Sequence, residues 1–219
     1  WLKNKCFQLI IAFLRYRSAR LPTQMSLATL LPPLIGQVTA MYLFVSPLRE
    51  VWKQRQNGEL IIDPTPFPVT LTQHFMWVVF AGLLEDAWIF SCNFFGIFAT
   101  VFNITTAFRF FKNRHVLNRV EVLLVGGLSF SLFFIMFAMT AIFIGDRERR
   151  EEICGYCCCA IVIAMYGSPC WEALLAIHRM DTSRISLPLA FGGLLNGSMW
   201  GIYGLAKSNV SIFLPNGVG

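Results

Sequence analysis

Residues 154–171 read "CGYCCCAIVIAMYGSPCW", and residues 41–52 of the same chain read "MYLFVSPLREVW". Both segments are apolar runs that end in a Ser-Pro pair, and a glutamate follows each pair at the same distance. Ser46 and Pro47 thereby recur as Ser168 and Pro169, at an offset of 122 residues. Because an internal repeat decides the whole architecture, we ask first whether the two runs belong to one structural unit that occurs twice.

Three further pairs of matching residues follow in the same order along the chain. They are Pro66 with Pro188 at an offset of 122, Trp77 with Trp200 at 123, and Asn93 with Asn216 at 123. A general richness in Phe and Leu does not predict that Pro, Trp and Asn recur at one spacing. The four colinear pairs therefore indicate an internal repeat with a period near 122 residues.

The composition points to a membrane protein. Of the 219 residues, 56% are hydrophobic and only 14% are charged, whereas soluble domains carry about 25% charged residues. A membrane-spanning helix needs about 20 apolar residues, and six segments meet that requirement. They are residues 25–48, 66–84, 87–111, 122–145, 153–177 and 186–206. A seventh begins near Asn209 and has 11 residues before the sequence stops, so we expect an incomplete seventh helix.

The repeat and the spans together predict the fold. Each repeat unit contains three helices, and the fourth span lies between the units. Moving four spans along the chain restores the same direction across the membrane, so the repeats are parallel and the substrate site is expected at their interface near the midplane. We predict an all-α polytopic membrane protein with two parallel three-helix bundles joined by a linker helix (3+1+3). The divisions are an N-terminal interfacial segment (1–24), the first repeat (25–111), the linker with its loops (112–152) and the incomplete second repeat (153–219).

Charge predicts the orientation. The links after the first, third and fifth spans carry more Lys and Arg than the links after the second, fourth and sixth, which places the former in the cytoplasm and the N-terminus outside. We expect a plasma-membrane location, with an intracellular membrane as the alternative. The net charge of +6 lies mostly beside the spans, so it predicts contact with anionic lipids and not with nucleic acid.

The cysteines of residues 154–171 are not expected to bind a metal. A structural zinc site normally needs four ligands, and no second Cys or His pair has suitable spacing. Cys157, Cys158 and Cys159 are consecutive on a helix and point in three directions, so they cannot form one tetrahedral cage. We interpret them as small apolar packing residues, and we expect no metal and no cofactor.

Four segments resemble the SWEET family of sugar transporters. "GQVTAMYLFVSPLREVWKQR" (36–55) is similar to the family's first helix and "CGYCCCAIVIAMYGSP" (154–169) to its fifth. "MWGIYGL" (199–205) is similar to the sixth helix, and "IFLPNGVG" (212–219) to the start of the seventh. The resemblance implies facilitative, bidirectional transport of a mono- or disaccharide by alternating access, with no enzymatic activity. It leaves a homo-oligomer open.

The resemblance also implies that four prolines act as hinges of the cytoplasmic gate: Pro47, Pro66, Pro169 and Pro188. Proline removes one backbone donor and crowds the preceding turn, so a helix bends there. Pro68 competes with Pro66 for its role, and Pro188 lies about two residues later than the family pattern.

By the same resemblance, the sugar pocket consists of Asn93, Asn216 and Trp200. A carboxamide offers donors and acceptors to hydroxyl groups without a charge, and an indole face covers the apolar side of a sugar ring. Trp77 occupies the place equivalent to Trp200, where many family members have a smaller residue. Either it narrows the pocket and favours a monosaccharide, or it packs outward. The extracellular gate is assigned to Tyr203 and Gly204, with residues 80–82 as a looser counterpart.

Ionisable residues are missing from the span centres, apart from His74. Proton-driven transporters place such groups inside the membrane, so facilitated diffusion is favoured, and His74 is interpreted as a packing or cavity residue. A related PQ-loop transporter of amino acids would show Pro-Gln where this chain has Pro47-Leu48 and Pro169-Cys170. A seven-helix receptor, the other alternative, lacks the three-one-three repeat.

Overall fold

The computed structural model describes residues 27–58, 63–108, 114–144, 147–179 and 187–218, and seven helices account for most of them. The helices are α1 (Leu27–Asn57), α2 (Pro66–Leu84), α3 (Ala87–Phe108), α4 (Arg114–Ile144), α5 (Arg147–Arg179), α6 (Leu187–Ala206) and α7 (Val210–Val218). Each predicted span has its helix, although α1, α4 and α5 extend beyond the apolar runs into charged residues. The predicted N-terminal segment, residues 1–24, lies outside the described residues.

The helices pack as two matching groups of three. In the first group α3 contacts both α1 and α2, and in the second α7 contacts both α5 and α6. The groups meet through α1 against α6 and α2 against α5, so the first helix of each group faces the second helix of the other. The helix α4 packs on α2 and α5. This arrangement makes the interface between the groups the centre of the molecule.

The turn between the second and third helix of each group has the same geometry. Glu85 and Ser208 are the non-glycine residues with positive φ among those described, at 57° and 52°, and they are 123 residues apart. The backbone N–H of the next residue then donates to the carbonyl five residues earlier, Asp86 to Ala81 and Asn209 to Gly204, both at 2.9 Å. This is the hydrogen bond of a Schellman helix end.

The same two residues then begin the following helix. Asp86 Oδ1 accepts from the N–H of Ile89 at 3.2 Å, and Asn209 Oδ1 accepts from the N–H of Ile212 at 3.2 Å. Such side-chain caps satisfy backbone donors that have no partner inside the helix. The repeat seen in the sequence therefore extends to the hydrogen bonds of the turn.

The outer surface of the described helices is apolar. Four helical segments have the length and hydropathy to span a membrane: Thr29–Lys53, Pro66–Leu84, Ala87–Phe108 and Arg114–Thr140. On α4, Val122, Phe133 and Met136 are each more than 60% exposed. A soluble protein rarely leaves such a continuous apolar surface in water, so these side chains are positioned to face lipid.

Three cysteines of α5 are packed inside the protein. Cys154, Cys158 and Cys159 are buried, and the thiol of Cys159 donates to the carbonyl of Ser211 in α7 at 3.1 Å. The equivalent link of the first half is made by Gln37 of α1, whose Nε2 donates to the carbonyl of Trp88 in α3 at 3.1 Å. Both hydrogen bonds connect the first helix of a group to the start of its third helix.

Candidate functional site

A cavity of about 210 Å³ lies between the two groups of helices. Its wall contains Ala40, Leu43, Phe44, Gln73, Trp77, Ile89, Cys92, Asn93, Val162, Asn196, Trp200, Ile212, Pro215 and Asn216. All four residues that the sequence assigned to a pocket, Trp77, Asn93, Trp200 and Asn216, are in this wall. The structure therefore brings together residues that are up to 139 positions apart along the chain.

The two asparagines are held in the same way. Asn93 Nδ2 donates to the carbonyl of Ile89 at 3.0 Å, and Asn216 Nδ2 donates to the carbonyl of Ile212 at 2.7 Å. In each case the acceptor lies four residues earlier in the same helix. One N–H of each carboxamide is thereby used, and the amide group is fixed against its own helix. The second N–H and the oxygen of each carboxamide are not used by this bond.

The two tryptophans also occupy equivalent environments. Trp77 and Trp200 are 5% and 7% exposed, and each ring meets an aromatic ring three residues later edge-on, Phe80 at 5.7 Å and Tyr203 at 5.8 Å between centroids. Both tryptophans are among the residues that line the cavity.

Trp200 can approach α1 only because residue 36 is glycine. A Cβ atom on Gly36 would lie 2.9 Å from the indole Nε1 of Trp200, which is closer than real Cβ contacts allow. The missing side chain lets α1 and α6 close around the cavity.

Comparison with known proteins identifies the family. A family model described as "Sugar efflux transporter for intercellular exchange" matches residues 152–219. The bidirectional sugar transporter SWEET16 of Arabidopsis thaliana is 30% identical over 192 residues, which cover 84% of this chain and 80% of that protein. This chain belongs to the SWEET family. The bidirectional sugar transporter SWEET17 of the same plant is 27% identical over 189 residues, covering 84% of this chain and 77% of that protein.

The SWEET fold is confirmed by a solved structure. A eukaryotic SWEET transporter solved at 3.7 Å resolution superposes with a TM-score of 0.77, covering 87% of this chain and 89% of that one at 19% identity. The all-α polytopic architecture is therefore confirmed, and the chain is an integral membrane protein. Membership in a family of transporters also agrees with the expectation that the chain is not an enzyme.

The SWEET cavity contains two carboxamides that the motifs did not indicate, Gln73 and Asn196. They precede Trp77 and Trp200 by four residues, so they lie one helical turn away on the same face. They are 123 positions apart, and this offset is the sequence signal that could have revealed them. Asn196 Oδ1 accepts from the hydroxyl of Thr39 at 3.1 Å, which links α6 to α1 beside the cavity.

The four predicted hinge prolines occupy two kinds of position. Pro47 and residue 169 lie inside α1 and α5. Pro66 is the first residue of α2 and Pro188 the second residue of α6. A proline in the first turn removes no intrahelical hydrogen bond, so a bend caused by a lost hydrogen bond is not expected at Pro66. Pro66 follows the described turn at residues 63–65 and marks the start of α2.

Pro47 leaves the carbonyl of Leu43 without its helical donor, since that donor would be the N–H four residues later. The hydroxyl of Ser46 donates to this carbonyl at 2.7 Å instead. The Ser-Pro pair therefore combines a break in the helix ladder with a replacement donor. The sequence indicated the pair but not this division of roles.

Near the α2–α3 and α6–α7 turns, a polar contact joins the two halves. The hydroxyl of Tyr203 donates to Asp86 Oδ2 at 2.5 Å, and the Lys207 ammonium lies 3.6 Å from the same oxygen. Gly204, the other predicted gate residue, permits close approach of α7, since a Cβ there would lie 2.6 Å from the backbone N of Phe213. Asp86 was not predicted, because a loop carboxylate alone does not show its partner.

Proposed function

We propose that this SWEET chain carries a sugar across its membrane by facilitated, bidirectional diffusion. One observation carries the proposal: the cavity is lined by two Asn and two Trp from equivalent positions of the two halves. A site shared equally by two similar halves suits alternating access, in which the halves rock about a fixed central site. The relatives named above are described as bidirectional sugar transporters.

The chemistry of the wall suits a neutral, hydroxyl-rich solute. Four carboxamides, Gln73, Asn93, Asn196 and Asn216, provide donors and acceptors, and each can bond a hydroxyl without bringing a charge into the membrane. The indoles of Trp77 and Trp200 supply apolar faces for the C–H side of a sugar ring. At about 210 Å³ the cavity is smaller than the roughly 300–1,000 Å³ of pockets for larger ligands. We therefore propose a monosaccharide as the preferred cargo.

We propose that transport needs no ion gradient. The residues that line the cavity in the described part of the chain include no Asp, Glu, Lys or Arg. Coupled transporters use ionisable groups at this depth to bind the driving ion. The direction of net flux would then follow the sugar gradient alone.

We propose that the repeats (25–111 and 153–219) move against each other with the segment 112–152 as their linker. Pro47 and Pro169 would bend α1 and α5 at the cytoplasmic end, while Pro66 and Pro188 would act as pivots at the first residues of α2 and α6. The gate at the opposite end would consist of Tyr203 and Gly204 with Asp86. The alternating contacts α1–α6 and α2–α5 are the surfaces that such a motion would change.

For the location we propose the plasma membrane with the N-terminus outside and anionic lipids around the basic cytoplasmic links. Imaging of a fluorescent fusion would check the membrane, with an organelle pattern contradicting it. Accessibility of an epitope tag at the N-terminus would check the orientation.

Size measurement in lipid nanodiscs would decide whether a homo-oligomer forms.

The central test is counterflow of radiolabelled hexose in proteoliposomes that contain the full-length protein. We expect flux with and without a protonophore, and loss of most flux in Asn93→Ala and Asn216→Ala. Asn118→Ala is the matched control, because Asn118 is exposed on α4. Absence of flux for a panel of hexoses would overturn the proposal, and collapse of flux with the protonophore would overturn its uncoupled form.

A further inference from the structure

One buried histidine lies behind the wall of the cavity and contacts a residue of that wall. His74 lies in the middle of α2 with 1% of its surface exposed, and its Nδ1 is 3.0 Å from Oδ1 of Asn93. His74 is not itself in the cavity wall. It therefore touches the outer side of a residue that we assign to sugar binding.

The direction of this hydrogen bond follows from the other contact of Asn93. The carbonyl of Ile89 can only accept, and Asn93 Nδ2 donates to it at 3.0 Å. The nitrogen of the carboxamide is thereby fixed toward Ile89, and the oxygen points to His74. Since that oxygen has no proton to give, His74 must carry its proton on Nδ1.

The fold holds the imidazole in this position from two sides. The ring of Phe44 packs edge-on against it at 4.7 Å between centroids. On the other side a Cβ atom on Gly96 would lie 2.4–2.7 Å from three atoms of the ring, so only glycine leaves room there. The second nitrogen, Nε2, is buried without a hydrogen-bond partner among the described residues. This arrangement fixes the ring although it leaves a polar atom unsatisfied.

The second half of the molecule has no equivalent of His74. The position 123 residues later is Gly197, and a Cβ there would lie 3.0 Å from the carbonyl oxygen of Asn216. The carboxamide of Asn216 is held by the hydrogen bond to its own helix, and no described side chain donates to its Oδ1. Among the described residues the two carboxamides therefore differ: the oxygen of Asn93 has one lone pair occupied by His74, while the oxygen of Asn216 has both lone pairs free.

We propose that His74 is a positioning residue that makes the two halves of the sugar pocket unequal. By donating to Asn93 it orients this carboxamide and reduces its capacity to accept. Asn93 then acts mainly as a donor to a sugar oxygen, and Asn216 as the acceptor for a sugar hydroxyl. A sugar would therefore bind in one preferred orientation rather than in two related by the pseudo-symmetry. This inference rests on the proposed function.

The transport test compares three proteins in the counterflow assay: the unmodified chain, His74→Leu and His74→Asn. Leucine fills similar volume without a donor, whereas the asparagine amide can place an N–H where Nδ1 stands. With the unmodified chain, a series of hexoses each lacking one hydroxyl should show one position whose removal raises KM most. In His74→Leu we expect a rise of KM by about 2- to 10-fold, as the loss of one hydrogen bond implies, and a flattened dependence on hydroxyl position. His74→Asn should restore the original pattern.

Met76→Leu is the matched control, since Met76 is equally buried on α2 and is not in the cavity wall. A general packing defect would change flux in this control as well, without changing the deoxy-sugar pattern. A His74→Leu protein that keeps the original deoxy-sugar pattern would overturn the inference while leaving the proposed function intact. Failure of the unmodified chain to carry any hexose would instead overturn the proposed function.

A second readout needs no transport. In NMR spectra of protein with ¹⁵N-labelled histidine, the signal of His74 is the one that disappears in His74→Leu. We expect its ¹⁵N shifts to be those of a neutral ring protonated on Nδ1. The signal should shift in Asn93→Leu. A ring protonated on Nε2 would overturn the inference even if transport changed.

Discussion

Tyr203 of α6 and Asp86 of the α2–α3 turn are 117 residues apart in sequence and are joined by a hydrogen bond of 2.5 Å. The same carboxylate caps α3 through its other oxygen, Oδ1, which accepts from the N–H groups of Trp88 and Ile89. The equivalent positions of the other pair, Phe80 and Asn209, have neither a phenol nor a carboxylate. The contact at this end is therefore asymmetric, although the turns that carry it are related by the repeat.

Removal of the phenol should weaken this contact. Tyr203→Phe leaves the cap of α3 intact and removes a hydrogen bond to a charged acceptor, which is worth about 1.5–3 kcal/mol. We expect the opening equilibrium at this end to rise by roughly tenfold or more, seen as faster hydrogen exchange of the amides in residues 85–90. Tyr156→Phe is the control, since Tyr156 is 57% exposed. Unchanged exchange in Tyr203→Phe would show that the contact does not hold the end closed.

The hydroxyl of Ser46 should matter because Pro47 follows it. Ser46→Ala leaves the carbonyl of Leu43 without a donor, so we expect a loss of about 0.5–1.5 kcal/mol in the free energy of unfolding in detergent. Thr105→Ala is the control, since Thr105 also bonds a helix carbonyl, that of Val101, but no proline has removed the backbone donor there. Equal effects of the two substitutions would contradict this role of Ser46.

A methyl group at residue 36 should separate α1 from α6. Gly36→Ala places its Cβ 2.9 Å from Trp200 Nε1, and such overpacking typically costs about 1–3 kcal/mol. We expect a lower melting temperature and reduced sugar flux. Gly193→Ala on α6 is matched to it, because nothing lies within 4 Å of that Cβ. Alanine favours a helix over glycine by roughly 0.5–1 kcal/mol, so the control should be neutral or stabilising.

The contact between His74 and Gly96 should show strong coupling. Gly96→Ala alone forces the imidazole out of place, and we expect a loss of about 1–3 kcal/mol. In a His74→Ala background the added methyl group enters the space vacated by the ring, so its effect should be much smaller. Unfolding of the two single variants and the double variant gives the coupling energy, and additive effects would contradict the packing described.

The size of the cavity should depend on Trp77. Truncation in Trp77→Ala removes an indole that narrows the wall, so we expect disaccharide counterflow to appear while hexose flux falls. Trp88→Ala is the control, because Trp88 is half-buried and lies outside the cavity wall. Hexose-only transport in Trp77→Ala would show that another part of the path sets the size limit.

The sequence by itself determined the class of fold and the internal repeat. Apolar length predicted each helix, because a membrane span must satisfy its backbone internally over a fixed thickness. The offset near 122 predicted two equivalent halves, and it paired Asn93 with Asn216 and Trp77 with Trp200; the resemblance to the SWEET family assigned them to a pocket. These inferences are possible from the sequence because they depend on residue identity and spacing along one chain.

The tertiary structure decided which residues meet. Gln73 and Asn196 enter the site only because their helix faces point into the interface, and His74 affects it only because Gly96 lets α2 and α3 approach closely. The partnership of Tyr203 with Asp86 has no local signal at all. Pairings between helices depend on how side chains of distant segments fit together in space, and spacing along the sequence does not contain that information.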